Sequence, residues 1–171
     1  MQARLTVEDL RQIPMFHGLD DSKLEKLLAI ISYETYEPGV KLILDGEYGD
    51  CVYLLLKGEV EITKMMTMLP AQGFQAPEKS LIRLNGSFKP FIGELSLFDE
   101  QAKRTATVST LTHVLVGVIK RHDFLVLADQ DSEIGYHVML NIARTMATRL
   151  QKANTDILKL TTAFSLAITR R

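Results

Sequence analysis

Between Tyr33 and Ile119 the chain is cut into short apolar runs by turn-forming pairs: Pro38-Gly39, Asp45-Gly46, Gly49-Asp50, Lys57-Gly58 and Asn85-Gly86. Runs such as Val52 to Leu56 and Val114 to Ile119 have the length of strands, and no helix-length period separates them. Many short strands joined by turns argue for a sandwich or a barrel, and this pattern alone does not choose between the two.

Helical signals flank this region. Thr6-Val7-Glu8-Asp9 places a hydroxyl cap before acidic residues, and Ile13-Pro14 should end that first short helix. After the Asp20-Asp21-Ser22 cap, Leu24, Leu27, Leu28 and Ile31 recur at helical spacing and predict a second helix packed on the strands. From Asp131 to about Ile168 there is no proline, and Gly135 lies near the start, so one long helix is predicted. Its residues Met146, Leu150, Ala153, Ile157, Leu160, Phe164 and Ala167 alternate spacings of four and three, the seam of a two-helix coiled coil. A helix packed on its own barrel would show a similar stripe. The chain is therefore divided into a strand-rich domain at 1–130 with amino-terminal helices, and a dimerisation and hinge helix at 131–171.

At 171 residues with 46% hydrophobic content the chain is long enough to bury a core. Its longest apolar runs fall far short of a membrane span. Met1 to Leu5 lead directly into Glu8 and Asp9 without the apolar segment of a secretory signal, which predicts a cytoplasmic protein without a membrane association. The 20 basic and 21 acidic residues, for a net charge of -1, are scattered, and Arg170-Arg171 reads as a solvated terminus. That distribution argues against direct nucleic-acid binding. Cys51 lies in an apolar strand pattern and is expected to be a buried, inert thiol. The segment 65–79, with Met65, Met66, Met68, Pro70, Gly73, Phe74 and Pro77, has no period and is expected to be a flexible loop, or else an adaptable apolar surface for a partner.

The residues that carry chemistry lie between Phe91 and Val108. Gly93 lets backbone approach a ligand, Glu94 accepts from hydroxyls, and Arg104 offers a planar fork of donors matched to two phosphate oxygens. A ribose and one phosphate fit that inventory.

Gly93-Glu94-Leu95-Ser96-Leu97 and Arg104-Thr105-Ala106-Thr107-Val108 resemble the phosphate-binding cassette of the cyclic-nucleotide-binding domain family, with the bacterial-type spacing from Glu94 to Arg104. Tyr36 to Gly39 and Gly46 to Val60 resemble the family's opening strands and turns, and Ile13 to Leu19 with Leu24, Leu27 and Leu28 its amino-terminal helices. The resemblance covers nearly the whole chain and implies a mainly β fold, a jelly-roll β-barrel with amino-terminal helices and a long carboxy-terminal helix. It also implies a ligand site built from Gly93, Glu94, Leu95, Ser96, Arg104, Thr105 and Ala106, with Ile62, Leu81 and Leu84 lining the base. Arg104 would pair with the phosphate, and a short helix beginning near Gly93 to Ser96 would turn free amides toward it. Glu94 would accept from the 2′-hydroxyl and steady Arg104.

By the same resemblance the long helix pairs with a two-fold mate, making a homodimer, and Asn154 falls where that helix would reach the base. The family's polar pair aligns with Ala153-Asn154, so one hydroxyl is absent and Asn154 alone would supply the contact. Asn154 and Thr105 each leave the base open, and the cassette's bacterial-activator character favours cAMP over cGMP. Asn85 to Pro90 is longer than the family's usual turn there and is expected to re-aim the approach to the pocket.

The function implied is a non-catalytic sensor that passes ligand binding through the hinge near Asp123 to Tyr136 and the long helix to a protein partner or an output domain. No helix-turn-helix is expected, since few residues follow Phe164. A ligand-free scaffold that keeps the barrel for dimerisation is the alternative. Jelly-roll barrels also house metal-dependent cupins, but their His-x-His pair is absent, and His17, His113, His122 and His137 are dispersed. No metal, cofactor or catalytic residue is assigned.

Overall fold

The computed structural model describes residues 5–65, 78–99 and 101–169. Among these residues eight strands form two antiparallel four-stranded sheets. The strands are β1 (Ile31–Tyr36), β2 (Lys41–Ile43), β3 (Cys51–Lys57), β4 (Glu59–Met65), β5 (Glu78–Asn85), β6 (Phe91–Ile92), β7 (Thr107–Thr110) and β8 (Val114–Lys120). One sheet runs β1-β8-β3-β6 and the other β2-β7-β4-β5. This alternation of strands between two sheets is the jelly roll the sequence led us to expect. Four helices flank it: α1 (Val7–Arg11), α2 (Asp21–Ile30), α3 (Arg121–Gln130) and α4 (Ser132–Thr169).

Period-two alternation explains where the core sits. Cys51, Leu55, Val114, Val116 and Val118 point between the sheets, where they meet Ile43, Val60, Ile92 and Val108. The opposite faces of the same strands, through Val52, Leu54 and Ile119, pack against the helices with Leu24, Leu27, Phe124, Leu127, Ile134 and Val138. Because β3 and β8 are covered on both sides, their sequences read as continuous apolar runs rather than alternating ones.

The caps read from sequence form. Thr6 Oγ1 accepts from the Asp9 amide while the Asp9 carboxylate accepts from the Thr6 amide, and Asp20 accepts from the Lys23 amide. Asn141, buried on α4, donates from Nδ2 to the carbonyls of Met15 (3.2 Å) and His17 (2.8 Å), fixing the long helix to the 3-10 turn Pro14–Phe16. The first three turns of α4 are thus built into the helical layer through Ile134, Val138, Asn141 and Ile142. From residue 147 to 169 every residue is exposed. Among the described residues no helix is long and apolar enough to cross a membrane.

Two local expectations need correction. Strand β4 extends to Met65 and β5 begins at Glu78, so the ends of the segment read as a flexible loop or partner surface are strand; its remainder, 66–77, lies outside the described residues. The Asn85–Pro90 segment does not lean over the pocket. It forms a 3-10 turn at Gly86–Phe88, puts Lys89 in the left-handed region (φ 45), and ties itself to α1 through Lys89 Nζ on Asp9 Oδ1 at 3.0 Å.

Candidate functional site

The candidate site is a cleft at the end of the barrel, bounded by the turn after β6 and the segment before β7. That turn is a 3-10 helix, Glu94–Leu97, entered through Gly93 at φ 81, a left-handed conformation that a side chain strains. Ser96 locks it: its Oγ donates to the carbonyls of Cys51 (2.9 Å) and Gly93 (2.8 Å). The opposite segment is held by backbone pairing, with Arg104 donating its amide to Glu47 O (2.7 Å) and accepting from Gly46 N (2.8 Å). Lys64 Nζ secures it from β4, on Thr105 O at 2.7 Å and Asp45 Oδ1 at 2.9 Å.

Arg104 crosses the gap between these halves. Its Nη1 donates to Gly93 O and its Nη2 to Cys51 O, each at 2.9 Å. Its bed is lined by two glycines for a steric reason. A Cβ on Gly49 would lie 2.0 Å from Arg104 Nε, and one on Gly93 2.3 Å from Nη1. The neighbouring Cys51 thiol is buried, and burial pushes its pKa up. Burial also raises Tyr53 beside it, and raises Tyr36 to about 12.

The cleft has two chemical sides. Ile43, Ile62, Ile92 and Val108 make an apolar wall; Glu94, Lys103, Arg104 and Arg149 bring charge. A planar apolar group and an anion are the two things such a wall and such cations accommodate. No group of three His, Cys, Asp or Glu side chains converges to hold a metal among the described residues.

Of the residues singled out in the sequence, Gly93, Glu94, Leu95, Ser96, Arg104, Thr105, Ala106 and Ile62 line this one cleft. Three others do not. Leu81 is 56% exposed on β5, Leu84 packs against the barrel core, and Asn154 is exposed on α4. The expected support of Arg104 by Glu94 is also absent. Glu94 is buried, and its Oε1 accepts instead from Nη1 of Arg149, which the sequence reading missed. Arg149 Nη2 also reaches Phe91 O at 3.3 Å, and its guanidinium lies 5.6 Å from the Phe91 ring centroid. A signal for Arg149 existed: it continues the inward stripe of Ile142 and Met146 at spacings of four and three.

No protein-family model matches the chain. Among solved structures, the N-terminal domain of a transcriptional regulator from Streptomyces coelicolor is 30% identical with a TM-score of 0.68, covering 89% of this chain and 95% of that one. The cyclic AMP receptor protein of Thermus thermophilus is 26% identical over 144 residues, 84% of this chain and 60% of that protein. A cAMP-dependent protein kinase regulatory subunit from Yarrowia lipolytica is 29% identical over 115 residues, 67% of this chain and 27% of its own length. The chain thus spans less than two thirds of the curated relatives it matches.

Proposed function

The chain belongs to the cyclic-nucleotide-binding domain family, and from that premise we propose that its cleft is a receptor site for a cyclic nucleotide, cAMP in preference to cGMP. The observation that carries this reading is convergence. The Gly93–Ser96 turn and the Arg104–Ala106 segment are far apart in chemistry from the apolar strand residues, yet all face one cleft. Arg104 supplies a forked cation for the cyclic phosphate, the turn's amides add donors, and Glu94 accepts a ribose hydroxyl. The apolar wall at Ile43, Ile62 and Val108 takes the base. The choice of cAMP rests on the cassette's bacterial-activator character.

The protein acts as a regulator rather than a catalyst, and its output passes through α4. Leu97 of the cassette turn shares a core with Phe124 and Leu127 of α3, so movement of the turn is felt at the α3–α4 junction. The exposed seam of α4 is the dimer surface, and Asn154 then meets the base bound by the mate. A protein partner or an attached output domain receives the signal. The protein works in the cytoplasm.

Calorimetric titration with cAMP, cGMP and 5′-AMP tests the reading. We expect saturable binding of cAMP, weaker binding of cGMP, none of 5′-AMP, and a loss of about tenfold to a hundredfold with Arg104→Ala, the worth of a charged bidentate contact. The second reading, a ligand-free dimerisation scaffold, draws on one observation: Arg104 already donates to two carbonyls and Glu94 already accepts from Arg149. Absence of heat and of a thermal shift with either cyclic nucleotide selects it.

A further inference from the structure

Among the described residues, Arg149 is the one charged group of the cleft that comes from outside the barrel. It holds the carboxylate that a ribose hydroxyl would need, and it stands in the same cavity. The two partners differ in exposure: the Glu94 side chain is 8% exposed, whereas that of Arg149 is 49% exposed and can return to water at little cost. Among the described residues Arg149 is also the last of α4 with a polar contact to the barrel, and all that follows it to residue 169 is exposed.

We propose that Arg149 is a specificity-determining latch, holding Glu94 Oε1 in the free protein so that a ligand's hydroxyl competes with it for the carboxylate. This rests on the reading of the cleft as a cyclic-nucleotide site. Two consequences follow. Affinity for a ribonucleotide is reduced by the cost of breaking the Arg149–Glu94 pair, while a 2′-deoxy ligand, with no claim on Glu94, escapes that cost. Occupancy by a ribonucleotide also unfastens the exposed half of α4 from the site, which turns a hydroxyl contact into a helix movement.

The sign of the effect makes this testable, because removing a cation from an anion site should ordinarily weaken binding. The full chain and its Arg149→Gln variant are titrated with cAMP and with 2′-deoxy-cAMP, with thermal unfolding of each as a folding check. The latch predicts cAMP bound about threefold to tenfold more tightly by Arg149→Gln, with 2′-deoxy-cAMP unchanged within about twofold. Arg149→Lys, which keeps the charge but loses the fork, should fall between. Weaker or equal cAMP binding by Arg149→Gln overturns the latch while leaving the cyclic-nucleotide site intact, and so does an equal gain for both ligands. If neither the native chain nor any variant binds either nucleotide, the site itself is refuted and the latch with it. Amide hydrogen exchange over residues 146–155 should rise when the native chain is saturated with cAMP, and unchanged exchange there refutes the release of the helix.

Discussion

Gly93 carries two constraints at once, and they can be separated by mutation. Its φ of 81 is costly for any residue with a side chain, and a Cβ would meet Arg104 Nη1 at 2.3 Å. Gly93→Ala should therefore cost about 1 to 2 kcal/mol in thermal or urea unfolding and, by evicting Arg104, reduce cyclic-nucleotide affinity by tenfold or more. A variant that loses stability but keeps affinity would show that Arg104 can be rehoused. At this scale the sequence was informative where a residue's chemistry is local to its motif. Gly93, Glu94, Ser96 and Arg104 were legible because they fill a motif that resembles the family's cassette, and the strand-turn-strand frame fixes them relative to one another. Arg149 was not, because its role depends on how α4 lies across the barrel, 55 residues away from Glu94 in the chain. Leu81 was assigned to the wall by the family resemblance; on the edge strand β5 it faces solvent instead.

The α1 cap shows how an element is tuned by a distant turn. Asp9 accepts from the Thr6 amide and from Lys89 on the loop before β6, and these hold its carboxyl well below the usual range, at about 2 against 3.8. A depressed folded-state value means stability that is complete above pH 4 and lost as pH falls toward 2. With the Asp9 side chain 39% exposed, solvent screening limits the contribution to about 1 kcal/mol. Asp9→Asn should accordingly be less stable than the native chain at pH 7, with the difference closing between pH 4 and pH 2 in paired melts. A gap that persists at pH 2 would assign the effect to packing instead. The helix itself was readable from Thr6 and Asp9, and so were the strands of β3 and β8 and the bounds of α4 to within a residue or two. A turn at Asn85-Gly86 was readable, and Asn85 caps it on the Ser87 amide; its tie to α1 was not, since that depends on Lys89 meeting Asp9, 80 residues away in the chain.

For the molecule as a whole the unpaired half of α4 dominates. Leu150, Ile157, Leu160 and Phe164 are each 62%, 60%, 69% and 68% exposed along one stripe, a larger apolar surface than a lone helix keeps in water. We expect a dimer in sedimentation experiments and its dissociation by Ile157→Asp, with the barrel's own melting little changed; a native chain that sediments as a monomer at micromolar concentration refutes the seam. The jelly roll was legible only once the cassette was recognised, because strand count and turn spacing admit a sandwich equally well.

The pairing of Ile31 with Ile119 has a mechanical consequence. Helix α2 passes directly into β1, and β8 passes directly into α3, so the helical layer is covalently joined to the barrel at two points side by side on neighbouring strands. Such a layer is attached like a flap along one seam. Any rotation of the layer about that edge, against the core it shares with Val52 and Leu54, would be magnified by the distal end of α4, the long arm, into a wide arc.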